Sequence, residues 1–318
     1  MAVEWQRALL GVFWQQVLLP RRLARGDFDL FWSPLLTLPL RVPVPAVLTV
    51  HDLAALRVPE TLPFKVRWSV LPFLGASLER AARVVVGTET VAGEIAAAFP
   101  RARDKLEVVP HGVDPVFAPA SADEIRAIRT RLGAESGYLV AVGTLEPRKN
   151  LGLLLAAWER LRRSPSASAP PLLLVGPAGW KQRGLSRRIA ELEALGLRRL
   201  GHLPLAELAA VVRGATLLVY PSLYEGFGLP VAEALAAGIP VVVAAGGSPA
   251  EVACEAGVCV DPADAAGLAD TLAALLADGE RLTELRRRAA LRGSRFSWRL
   301  AAERMARIFL EVVAESRR

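Results

Sequence analysis

Two cysteines, Cys254 and Cys259, are all that 318 residues contain, so no disulfide framework is available and a reducing cytoplasm is the expected compartment. Histidine is as scarce. His51, His111 and His202 lie far apart in sequence and form no ligand cluster, so no metal centre is expected. Lysine is nearly missing: Lys65, Lys105, Lys149 and Lys181 are the full set, and arginine supplies the rest of the positive charge behind a net +7. The arginines are spread over many segments, with short runs such as Arg286-Arg287-Arg288 but no basic block, so no nucleic-acid partner is expected. No stretch approaches the ~18 uninterrupted apolar residues of a membrane span. The opening residues include Glu4 and Gln15-Gln16 and carry no clear cleavage signal, which makes a poor secretory leader.

Missing motifs narrow the field further. No G-x-x-x-x-G-K-S/T occurs, which removes a P-loop, and no G-x-S-x-G occurs, which removes a hydrolase elbow. Gly226-x-Gly228-x-x-Val231 falls short of the dinucleotide fingerprint. Val231 stands where the third glycine belongs, and the strand expected over Pro240–Ala244 offers no acid to an adenosine ribose.

What is present is strongly apolar. The hydrophobic fraction is 53%, and the length suits roughly two domains, each large enough for its own core. Short apolar runs predict strands over Asp29–Trp32, Ala46–Val50, Arg83–Val86 and Leu106–Pro110 in the first half. The second half repeats a strand–helix rhythm, with strands expected over Tyr138–Val142, Leu172–Val175, Arg199–Leu203, Leu217–Pro221, Pro240–Ala244 and Val258–Val260. Such alternation means a doubly wound parallel α/β sheet. The Pro- and Ala-rich segment from His111 to Ala122 reads as a hinge. Domains are therefore expected at 1–118 and 119–298, followed by a last helix at 299–318 behind Ser297. Residues 3–25 predict an amphipathic helix, with Trp5, Leu9, Leu10, Phe13, Trp14, Val17 and Leu18 on one broad face and Arg21, Arg22 and Arg25 at its end. That face reads first as core; peripheral contact with an anionic membrane, at the inner face of the cell membrane, is the alternative. A further helix is expected from Pro63 to Ala82.

The stretch that organises the chain is Tyr224-Glu225-Gly226-Phe227-Gly228-Leu229-Pro230-Val231-Ala232-Glu233. An apolar run before it reads as a buried strand, and Pro230 suits the first turn of a helix that Gly238 ends. The glycine loop would bring backbone N–H groups to a helix start, where the dipole amounts to roughly +0.5 charge and anions bind. Glu225 and Glu233 flank this spot. An acid there repels phosphate, so accepting hydrogen bonds from hydroxyls is the better task for each, and donors for an anion beside acceptors for hydroxyls suit a nucleotide sugar. Taken singly, Glu233 would only complement the helix dipole and Glu225 would be a solvated loop acid. The strand ending at Val142 brings Gly143-Thr144-Leu145-Glu146-Pro147-Arg148-Lys149-Asn150 to the same edge, where Arg148 and Lys149 would clamp a diphosphate. His51 follows another buried strand, at the kind of edge where open α/β sheets meet ligands.

Together these residues resemble the retaining glycosyltransferases of family 4, the mannosyltransferase-like group 1 enzymes of GT-B architecture. The resemblance rests on Glu225 to Glu233 as an E-x7-E element, on Val142 to Asn150, on Val109-Pro110-His111-Gly112-Val113-Asp114, on Val50-His51-Asp52 and on Phe296-Ser297-Trp298, in order along nearly the whole chain. It implies two Rossmann-like domains facing a cleft, the N-terminal one shortened because the family's opening strand and Gly-rich loop have no counterpart here. It also implies that Glu225 bonds the donor sugar, Glu233 bonds the ribose, and amides of Gly226, Phe227, Gly228 and Leu229 meet sugar and phosphate. Gly143, Thr144 and Arg148 would line the donor site, Lys149 would neutralise the leaving diphosphate, and His51 would contact the sugar near the reacting carbon. The catalytic candidates are therefore His51, Lys149 and Glu225. Thr144 stands where the family often has arginine, a charge that Arg148 is expected to supply. No metal or other cofactor is implied, because the nucleoside diphosphate sugar is a substrate and cationic side chains and amides take the role of a divalent ion. The implied activity is transfer, with retention, of mannose or a similar hexose to a glycan or lipid-linked acceptor in cell-surface polysaccharide synthesis. A non-catalytic or partner-dependent nucleotide-sugar binder, and a phosphorylase or epimerase on the same architecture, are the alternatives.

Overall fold

Continuous apolar runs become strands buried on both faces, and a computed structural model of the chain contains two parallel sheets built from them. It describes residues 11, 13–62, 64–164, 169–180 and 183–318, with backbone alone for 64–69 and 183. Residues 3–10 and 12 of the helix expected over 3–25, with Trp5, Leu9 and Leu10, lie outside the described residues, as does Pro63. The described remainder of that first helix is a π-helical turn at Trp14–Leu18 that continues as an α-helix over Leu19–Arg25. The chain forms two compact units: the residues up to His111 together with Arg299–Arg318, and Gly112–Trp298.

The first unit holds β1 (Phe31–Ser33), β2 (Ala46–Val50), β3 (Arg83–Val86) and β4 (Leu106–Val108), all parallel and in that spatial order. β2 is buried at every position, as an Ala-Val-Leu-Thr-Val strand covered on both faces must be. The helix Trp298–Ser316 supplies part of the cover, packing Ala301, Ile308 and Val312 with Val47, Val85 and Val109. Surface ion pairs Arg83–Glu315 (2.5 Å) and Arg317–Asp29 (2.7 Å) accompany this packing and add little to it.

The second unit holds β5 (Leu139–Val142), β6 (Leu172–Val175), β7 (Leu197–Gly201), β8 (Leu217–Tyr220), β9 (Val241–Ala244) and β10 (Gly257–Val260). Their order in space is β10-β9-β8-β5-β6-β7. Counted within the unit this is 3-2-1-4-5-6 read from the opposite edge, the dinucleotide-type doubly wound order, with its switch point between β5 and β8. Buried layers on the two sides of the sheet include Tyr138, Phe117 and Phe227 on one and Trp158, Leu154 and Leu272 on the other.

Several boundaries differ from the expected ones by a residue or two, as where β4 ends at Val108 and not Pro110, and three differences have a visible cause. β1 runs over Phe31–Ser33 rather than Asp29–Trp32, beginning where the Phe31 N–H bonds the Pro45 carbonyl (2.9 Å). β7 runs over Leu197–Gly201 rather than Arg199–Leu203, because Gly201 takes a φ of +73° and leaves the extended conformation there. The division between units falls between His111 and Gly112, ahead of 118. Residues beyond it are claimed by the second unit: the Val113 N–H bonds Phe296 O (3.2 Å), and Phe117 is wholly buried in that unit's core.

Candidate active site

Parallel strands bring the loops after β5 and β8 side by side, at the point where strand order reverses and ligands of such sheets are met. After β5, Gly143 adopts φ +146°, and a Cβ there would lie 3.1 Å from the Lys149 side chain. Gly176, after β6, sits so close that a Cβ would collide with the Gly143 carbonyl. This packing fixes the path into a tight turn at Pro147–Lys149, ended by left-handed Asn150 (φ +53°). Asn150 also ties the loop down through its Nδ2, which donates to Pro262 O at 2.8 Å.

The side chains of the two loops meet in a buried ionic network. Glu225, 9% exposed, accepts from Lys149 Nζ (2.6 Å), Ser222 Oγ (2.6 Å) and Tyr220 Oη (2.9 Å) on Oε1, and from Arg148 Nη1 (2.6 Å) on Oε2. Arg148 also donates to the Tyr224 carbonyl (3.0 Å) and, through Nε and Nη2, to buried Glu146 (3.0 and 2.7 Å). Two acids and two bases thus cancel in a pocket where an unpaired charge would be costly. Burial alone would push the Glu225 carboxyl up, but Lys149 and Arg148 outweigh it and hold the group below the usual carboxylate range. Burial and the Glu225 charge push the Tyr220 phenol well up, so it stays a neutral donor.

This arrangement revises the expected diphosphate clamp. Arg148 is turned onto Glu146, Glu225 and the Tyr224 carbonyl, and so braces the Glu225 loop rather than presenting a free guanidinium. Lys149 differs. Its ammonium has three N–H donors, of which Tyr220 (2.6 Å) and Glu225 take two. Glu146, Tyr220 and Ser222 are parts of the site that the sequence reading left out. The signal available for Tyr220 was its polar tip at the end of an otherwise apolar strand.

The helix Leu229–Ala236 starts beyond this network, with Gly228 at φ +95° before its first turn. Phe227 is buried and packs edge-on against Phe296 (5.7 Å, 89°), so its side chain belongs to the core. Gly226 and Gly228 are buried, Thr144 is half-buried, and Leu229 is 40% exposed. Glu233 is half-buried, and burial together with nearby Asp114 pushes its carboxyl up to about 7. His51 belongs to the first unit, after β2, and is exposed. Its Nε2 lies 2.9 Å from the Pro34 carbonyl, which only accepts, so Nε2 is the donor in this contact. Its ring centroid is 5.6 Å from that of His111, whose own imidazole is held at about 4 by burial and by the His51 charge.

The fold class is that of the GT-B glycosyltransferases. The chain superposes on Anabaena HepE in complex with UDP and glucose (TM-score 0.75, 20% identity, 94% of this chain and 83% of that one). It also superposes on WaaG, a glycosyltransferase involved in lipopolysaccharide biosynthesis (TM-score 0.74, 17% identity, 92% and 80%). Residues 124–292 match the model of the glycosyl transferases group 1, and residues 3–117 that of Glycosyltransferase Family 4. The chain belongs to the group 1 glycosyltransferases. It is 31% identical over 290 residues to O-antigen chain mannosyltransferase B of Escherichia coli, covering 89% of this chain and 75% of that protein. It is 38% identical over 250 residues to the D-inositol 3-phosphate glycosyltransferase of Salinispora tropica, covering 74% of this chain and 52% of that protein.

Proposed function

We propose that the chain transfers a hexosyl group from a nucleoside diphosphate sugar to a glycan or lipid-linked acceptor, with retention of configuration and without a metal ion. The observation that carries this reading is the Lys149–Glu225 pair at the switch point, where a cation with a donor to spare adjoins a carboxylate. Lys149 and the helix start at Gly228 supply positive potential for the leaving diphosphate. Glu225 receives sugar hydroxyls, Glu233 the ribose, and His51, from the first unit, a hydroxyl near the reacting carbon. Arg148 acts through Glu225, as a brace. The likeness to a mannosyltransferase of O-antigen chains supports a mannose-type donor and a cell-surface polysaccharide product. Exposed Phe13 and Trp14 on the helical segment that leads to Arg21, Arg22 and Arg25 support peripheral contact with an anionic membrane at the cytoplasmic face.

Incubation of the full chain with UDP- and GDP-hexoses and lipid-linked oligosaccharide acceptors, with and without chelator, tests the activity. The anomeric proton coupling of the product reads the stereochemistry. An inverted product refutes retention, and loss of turnover on chelation refutes metal independence. Release of a sugar phosphate, or an isomerised donor, indicates a different reaction on the same fold.

The Glu233 carboxyl gives a pH signature. As a ribose acceptor it works ionised, so affinity for the bare nucleoside diphosphate is expected to rise with pH through about 7. Its raised pKa also means that folding carries a growing penalty as pH climbs from the ordinary carboxylate range to about 7, constant beyond. Glu233→Gln should therefore flatten the binding profile and raise the melting temperature more at pH 8 than at pH 5. A binding profile that keeps its inflection in the variant assigns the titration elsewhere.

A further inference from the structure

A cavity of about 580 Å³ opens on the first unit, lined by none of the candidate site residues. It lies at the edge of the sheet where strands begin. Ala46 starts β2, Ala82 directly precedes β3, and the Ala82 N–H bonds Ala46 O at 2.8 Å. His51 follows the opposite end of β2. Ligands of parallel α/β sheets are met at the ends of strands rather than their beginnings, so this cavity is separate from the reaction edge.

Its walls are apolar, with Pro20, Ala24, Leu40, Val42 and Val44 among them. Its charged residues are Arg21, Arg41 and Arg80, and among the described residues no acid lines it. Arg80 gives one N–H to Ala76 O (3.2 Å). Among the described residues, Arg21 and Arg41 have no hydrogen-bond or ion-pair partner. The helical segment before Arg21 is held to the loop that carries Leu40: Gln15 Nε2 donates to Thr37 O (3.0 Å), and Gln16 Oε1 accepts from the Leu40 N–H (2.8 Å). On that segment and loop, Phe13 (51%), Trp14 (54%), Leu18 (43%) and Leu40 (43%) remain exposed.

We infer that this cavity receives the phosphate headgroup and first chain carbons of an anionic bilayer lipid, an inference that rests on the membrane contact proposed above and gives it a site. Guanidinium groups without a carboxylate select a phosphate, because their planar forks match its oxygens. Apolar walls select what a free phosphate lacks, a hydrocarbon continuation. Exposed aromatic and aliphatic side chains on the same segment suit the boundary between headgroups and chains.

Sedimentation of the full chain with vesicles of equal parts phosphatidylglycerol and phosphatidylcholine, against vesicles of phosphatidylcholine alone, tests the inference. Binding is expected to the anionic vesicles and not to the neutral ones. Each of Arg21→Gln, Arg41→Gln and Arg80→Gln should weaken partitioning about fivefold, the worth of one basic residue at an anionic surface, and the triple variant on the order of a hundredfold. Ala24→Trp, which fills the cavity without altering charge, should also weaken it. Unchanged nucleotide affinity and melting temperature in these surface variants establish that they are folded. If the wild type sediments with neither vesicle, the membrane contact and the site fall together. If the wild type sediments, Trp14→Ser reduces it, and both Ala24→Trp and the triple variant behave as wild type, the contact stands and the cavity site is overturned. Competition by inorganic phosphate would overturn it in favour of a free-anion site.

Discussion

Lys149→Ala should lower turnover on the order of 10²-fold or more, the cost of losing one donor aimed at developing negative charge. As the sugar bond breaks, charge accumulates on the departing diphosphate, and Lys149 has one N–H donor beyond the two given to Tyr220 and Glu225. The fold should survive the change. Glu225 keeps Arg148, Ser222 and Tyr220, so no carboxylate is left bare. The expected result is a collapse in kcat with a melting temperature close to that of the wild type. Wild-type turnover would remove Lys149 from the chemistry; a large loss of stability would make it a structural cation.

Arg148→Met should do the reverse, with its main effect on stability. The substitution strips the guanidinium from two buried acids, Glu146 at 4% and Glu225 at 9% exposure. Breaking a buried pair by removing one partner costs about 3–5 kcal/mol, which for a unit of this size lowers the melting temperature by about 10 °C. The sign of the pH dependence follows from Glu225. Its depressed pKa contributes stability that is present above the ordinary carboxylate range and lost as pH falls through the folded value. The gap between wild type and variant should therefore be widest near neutrality and narrow in acid. Thermal melts at pH 7 and pH 4 check this. A gap that is constant with pH would mean that Arg148 stabilises by packing alone.

Much of this site could be read from the chain because its residues cluster in two short loops, each announced by a β-branched strand before it. Val140, Val142, Val219 and the Val241–Val243 run leave little choice but buried parallel strands, and their spacing sets the alternation that places both loops at one edge. What could not be read is pairing across the loops. Nothing local tells Arg148 to turn toward Glu146 and Glu225 instead of a ligand; that choice depends on Glu146 being buried, which only the assembled sheet enforces. Phe227 is a second instance. Its amide is the part expected at the ligand; that Phe296, far along the chain, packs against its ring has no mark in the local sequence. β7 ends two residues short of the expected Leu203 for a local reason, the left-handed turn at Gly201.

The helix from Trp298 to Ser316 gives the chain a constraint in time. Ala301, Ile308 and Val312 complete the layer over Val47, Val85 and Val109 in the first unit, yet the ribosome makes them after the whole of the second. Residues 112–298 begin and end at neighbouring points, where Val113 pairs with Ser297, and have all their own strands to hand as they emerge. The unit translated first therefore waits with part of its sheet uncovered, and the unit translated second is the first whose core can close.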